Sequence, residues 1–154
     1  MEYWWIPLSI FVALIIIVFA ARRLRSFGKR VVSERARELF KLQRERLEAQ
    51  FLQAAAATGK PRGLLWKDCQ WDAPVEFVRE RETGQIHALV SVTIAFEAVV
   101  GGDMENLPAV GNLRNASAVF VFQTGRWLTA GRAIFNMNPD EAVRHFQTQY
   151  EPLP

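Results

Sequence analysis

Eighteen consecutive residues without a charge, Trp4 to Ala21 (WWIPLSIFVALIIIVFAA), constrain this chain more than any other feature. At 1.5 Å per residue a helix over them is about 27 Å long, close to the bilayer's hydrocarbon thickness of about 30 Å. Tyr3, Trp4 and Trp5 stand at one end as an aromatic belt, and Arg22, Arg23, Arg25, Lys29 and Arg30 crowd the other. Pro7 falls in the first turn, where its missing N–H costs little. The expectation is a transmembrane anchor over residues 1–21, with the N-terminus outside and the rest in the cytoplasm, because basic flanks stay on the cytoplasmic side. This is the pattern of a single-pass protein of a bacterial inner membrane. A cleaved signal peptide is the rival reading, since Val18-Phe19-Ala20 offers small residues at cleavage spacing. Against it, the start carries Glu2 and no basic side chain, and a strongly basic segment after a cleavage site opposes export.

The 154 residues leave room for one domain beyond the anchor. The formal charge of +3 is unevenly spread: Arg22 to Ala57 holds ten Lys/Arg against four Asp/Glu, and Thr58 to Pro154 holds nine against eleven. The excess therefore sits in and just beyond a basic juxtamembrane segment, 22–32, where it meets the bilayer's anionic headgroups, and nucleic acid is not an expected partner. Cys69 is the single cysteine, which excludes an internal disulfide and a cysteine-based zinc cluster; it reads as a small buried hydrophobe.

The domain, 33–154, begins with a predicted helix over Ser33 to Ala57, rich in helix formers, free of Gly and Pro, and stopped by Thr58-Gly59-Lys60-Pro61. Ala36, Leu39, Phe40, Leu47, Phe51 and Ala54 share one face, expected to pack on a sheet, while Arg37, Lys41, Arg44, Glu45 and Glu48 occupy others. Leu42 and Leu52 lie off the stripe as surplus apolar surface.

Beyond Pro61 the pattern changes to short runs of Val, Ile, Phe and Trp. Five strands are predicted, about Leu64–Trp71, Val75–Arg81, Ile86–Val99, Ala118–Gln123 and Arg126–Phe135, with hairpin turns at Thr83-Gly84 and Thr124-Gly125. The third alternates, with Ile86, Ala88, Val90, Val92, Ile94 and Phe96 on a core face and His87, Leu89, Ser91, Thr93 and Glu97 on a wetter one. Its length calls for a bend or bulge. Asn138-Pro139-Asp140-Glu141 starts a helix expected to reach about Gln149, followed by a tail, Glu151 to Pro154, expected to fray. The fold class is α+β: an anchor, a long amphipathic helix, a curved antiparallel sheet of about five strands and a short helix. From Ser33 to Gln149 this order resembles the cystatin-like and NTF2-like groups, in which a curved sheet wraps a long helix; the resemblance rests on element order and implies no function.

Phosphate-loop, dinucleotide, HExxH and GxSxG signatures are absent from the sequence, and its two histidines, His87 and His145, are too few for a conventional zinc site. No catalytic residue, metal or cofactor is therefore expected. The leading expectation is a noncatalytic, membrane-anchored interaction module, an accessory or assembly subunit of a larger membrane complex. Its partners are then the lipid bilayer and other membrane proteins, met through Leu42, Leu52, and Met104, Leu107 and Arg114 of the semi-apolar stretch Gly101–Ser117. The alternative is a small-ligand binder or enzyme with Asp68, His87, Glu97 and Arg132 converging in a cleft between helix and sheet. Trp66, Trp71, Trp127 and Phe135 read as core aromatics rather than a binding platform.

Overall fold

The computed structural model describes residues 5–58 and 63–153, with side chains from residue 11 onward except 24–26. Tyr3, Trp4 and the side chains of Trp5 and Arg25 lie outside the described residues. The elements are helix α1 (Trp5–Thr58), strands β1 (Leu64–Glu80) and β2 (Ile86–Ala98), a 3-10 turn (Pro108–Gly111), and strands β3 (Arg114–Gln123), β4 (Arg126–Leu128) and β5 (Ala133–Phe135). Helix α2 (Pro139–His145) and strand β6 (Tyr150–Pro152) complete the chain. By packing it divides into two compact units, Met1–Arg35 and Ala36–Pro154.

The expected basic segment at 22–32 is part of α1. It holds no proline and one glycine, Gly28, whose cost of about 1 kcal/mol does not stop a helix with formers on both sides. Among the described residues no helix is long and apolar enough to cross a membrane. The transmembrane helix expected over Trp4–Ala21 therefore has no support from them. What the first unit does present is exposed apolar surface: Phe11, Val12 and every residue from Leu14 to Phe19 are 47–67% exposed.

In the second unit the sheet runs β4-β3-β2-β1-β6, all neighbours antiparallel, with β5 also pairing β3. The two strands expected over Leu64–Trp71 and Val75–Arg81 are one, β1, whose register slips against β2 between Trp66 and Asp68 and again between Trp71 and Val75. Such bulges absorb Asp72-Ala73-Pro74 and bend the strand. Pro74 is tolerated because β6 pairs only Val78, Arg79 and Glu80, so this stretch of β1 is a sheet edge. The last expected strand divides into β4 and β5 around a crook at Gly131. There φ is +72°, and a Cβ would collide with the backbone of Ala54 and Ala55 in α1.

One face of this sheet packs on α1. Ala36, Phe40, Leu47 and Phe51 are buried as the helical stripe requires, joined by Ala55, while Leu39 and Ala54 are half-buried. The even-numbered residues of β2 from Ile86 to Phe96 meet them, with Ala116, Ala118 and Phe120 of β3. Phe40 stands edge-on to Phe77, Phe120 and Trp127 at 5.6, 5.5 and 5.0 Å, and Phe51 to Trp71 at 5.4 Å. The buried Trp127 indole N–H donates to the Ala36 carbonyl at 2.8 Å, so its one polar atom is satisfied.

Candidate functional site

The opposite, outer face of the sheet is where the sequence-level expectation of a wetter surface needs correction. His87, Leu89 and Ser91 are buried there, because α2 and β6 fold over that half and build a second core from Val78, Leu89, Val119, Ile134, Ala142 and Tyr150. Helix α2 starts as expected, with a reciprocal capping box between Asn138 and Glu141, but ends at His145 instead of Gln149. The tail does not fray. Tyr150 is 1% exposed, and Tyr150, Glu151 and Pro152 pair with Glu80, Arg79 and Val78.

His87 lies under this cover, flanked by Val78 of β1 and Val121 of β3, with its ring 5.6 Å from that of Tyr150. Neither ring nitrogen of His87 nor the hydroxyl of Tyr150 has a hydrogen-bond partner among the described residues, although all three atoms are buried. Each such group costs about 1–3 kcal/mol. Burial pushes the His87 pKa down; the Glu80 carboxylate opposes that shift and the Arg132 guanidinium adds to it. Burial likewise raises the Tyr150 phenol. Glu80 accepts from the Thr83 hydroxyl at 2.6 Å and from the Gln149 amide at 3.0 Å, bonds that hold its carboxyl below the usual range and tie the β1–β2 turn to the tail.

Of the four residues expected to converge, only Arg132 acts on His87, by its charge and from an exposed position. Asp68 and Glu97 are exposed and pair with Ala95 and Leu65 near the far end of β2; ten residues of strand, about 33 Å, separate Glu97 from His87. The seam between α1 and the sheet, where the cleft was expected, is filled by the aromatic rings described above. Glu80 and Tyr150 were missed by sequence reasoning. The signal that could have found Tyr150 is the tail's own composition, since an aromatic residue followed by Pro152 and Leu153 is too apolar for a frayed end.

Arg114 is exposed at the start of β3 and helps line a polar pocket of about 430 Å³ with Asn115, Asn136, Asn138 and Glu141. The stretch before it winds into consecutive turns, with Val99 N–H donating to Gly63 and Gly101 N–H to the Glu105 carboxylate. Met104 is half-buried against Gly63. Leu107 and Leu113 are 47% and 59% exposed, and Val100 is 88% exposed. On α1, Leu42 is 82% exposed, whereas Leu52 is half-buried and offers less surface than expected. In the first unit Phe19, Arg22, Arg23, Phe27 and Arg30 border one groove, and Lys29 is exposed nearby.

Cys69 packs at the edge of the inner core, and burial, aided by the Asp68 charge, pushes its thiol up to about 11. At neutral pH it is therefore protonated and a poor nucleophile. Among the described residues no three His, Cys, Asp or Glu side chains gather where they could hold a metal ion. Compared with protein-family models, curated proteins and solved structures, the chain matches none of them. Its function must be argued from its own residues.

Proposed function

We propose that this chain is a membrane-tethered, noncatalytic interaction module: the first unit holds it at a bilayer, N-terminus outside, and the second docks on a larger membrane complex in the cytoplasm. The observation that carries the reading is the exposed apolar run of α1. Phe11 to Ala21 covers about 16 Å of helix, and α1 begins further back, at Trp5, with an uncharged sequence up to Ile10. Arginines on a helix immediately past such a run meet lipid phosphates while Phe19, one turn back, faces acyl chains and Phe27, one turn on, lies at the headgroup level, which suits the groove they border. Support for docking comes from the exposed Leu42, Val100, Leu107 and Leu113.

The test is alkaline carbonate extraction of membranes carrying the full chain. Retention in the pellet, with release by Ile16→Arg, is expected; release of the unaltered chain overturns the tether. Native mass spectrometry in mild detergent then addresses docking: a stoichiometric complex lost in Leu42→Glu or Leu107→Glu, with the fold intact, is expected. A lone chain retaining a small molecule would favour a ligand-binding reading instead, for which the polar pocket beside Arg114 is the better location than the α1–sheet seam.

A further inference from the structure

The covering of His87 is built from weak attachments. Strand β6 contributes three residue pairs, α2 is seven residues long, and, with Leu153 resting on the margin of the inner core, the fastenings beyond Tyr150 are few. These are the Arg81–Glu151 bridge at 3.6 Å, the Arg37 guanidinium on the Leu153 carbonyl at 3.2 Å, and the Leu153 N–H on Phe77 at 3.0 Å. Beneath them lies a titratable ring that is 5% exposed, with no protein acceptor for a second proton among the described residues. The charged and titratable groups around it are few. Glu80 faces it from β1, Arg132 from the crook before β5 and Tyr150 from β6, while β3 presents Val121. From α2, the exposed His145 stacks on Phe146, which in turn touches Tyr150. Among the described residues Glu80 is the one attractive charge acting on His87, and both its oxygens already accept hydrogen bonds, from Thr83 and Gln149.

We propose that Pro139–Leu153 is an acid-released strap: when His87 takes a proton, α2 and β6 let go of the outer face of the sheet and uncover Val78, Leu89 and Val119. An imidazolium sealed in this place has no hydrogen-bond acceptor among the described residues and is desolvated, a cost that the attraction of Glu80, itself opposed by Arg132, does not cancel; lifting the strap hydrates it. The sign follows from the lowered pKa of the closed form. Above about pH 6.5, the ordinary histidine value, open and closed forms are both neutral and closure is independent of pH. Below it the open form takes the proton first, so closure weakens as pH falls toward the closed-form pKa. The inference concerns the second unit alone and does not depend on the membrane reading.

Hydrogen–deuterium exchange of the full chain in mild detergent tests it, at pH 7.5 and 5.5 with rates corrected for intrinsic chemistry. Amides of 140–153 are expected to lose severalfold, up to about tenfold, in protection at pH 5.5 while those of 40–55 in α1 keep theirs, the ceiling being set by one histidine of ordinary pKa in the open form, and His87→Phe is expected to hold the strap at both pH values. Unchanged strap protection overturns the proposal, as does an equal loss in the variant or a loss shared by α1, which would be global unfolding. Should His87→Phe not fold, the NMR titration of His87 in the unaltered chain decides: a midpoint below 6.5 accompanied by shifts at Tyr150 supports the strap, and a midpoint at or above 6.5 overturns it.

Discussion

The two faces of the sheet are built on opposite terms. On the inner face α1 lays a stripe of Ala, Phe and Leu against alternate residues of β2, the rings interlock edge to face, and the one buried indole N–H finds a carbonyl. On the outer face a seven-residue helix and a three-residue strand cover a histidine and a tyrosine whose side-chain polar atoms have no protein partner among the described residues. The first arrangement is a store of stability. The second gives some up, and buried polar groups left unpaired mark places where a structure can respond to conditions.

Replacing Phe51 by Ala should break the inner face most, costing about 3–5 kcal/mol in chemical denaturation followed by tryptophan fluorescence, because the ring lies among Trp66, Trp71 and Phe120. A cost under about 1 kcal/mol would mean that α1 is not seated as described. Gly131→Ala comes next, at about 2–3 kcal/mol: the new methyl meets the backbone of α1 at a positive φ, and neither can yield cheaply. Trp127→Phe keeps an aromatic ring but removes the indole N–H that the Ala36 carbonyl accepts beside its helix bond, for about 1 kcal/mol.

Across the sheet the same denaturation measurement on His87→Phe should read within about 1 kcal/mol of the unaltered chain at pH 7.5, since two unpaired nitrogens leave with the ring. A loss as large as that of Phe51→Ala would erase the contrast between the faces. The smallest effect is chemical. With its thiol near 11, Cys69 should resist alkylation at pH 7.5 and react only in strong base, and rapid labelling at neutral pH would show that the edge of the inner core opens.

The inner face was legible in the sequence because periodicity is a local signal: Phe40, Leu47 and Phe51 recur at helical spacing, and Ile86 to Phe96 alternate. The outer face was not, since nothing in β2 tells His87 that a tail sixty residues later will cover it. Tyr150 to Pro152 is too short and too proline-bound to read as a strand. Asp72-Ala73-Pro74 looked like a break for a related reason. Whether a proline ends a strand depends on whether its N–H side has a neighbour, and that is a fact of topology. Asp68 and Glu97 were grouped with His87 because alternation gives a face without giving a position along it.

That open stretch of β1 bears on how copies of this domain behave when crowded. Sheets left open at a margin invite the same margin of another molecule to continue the ladder, the first step of ordered aggregation. Here Lys67, Asp68 and Asp72 are exposed along the margin, Pro74 offers no N–H, and two bulges spoil the repeat that an incoming strand would have to match. Molecules concentrated side by side are thereby kept from zipping together through their backbones, and recognition is left to side chains.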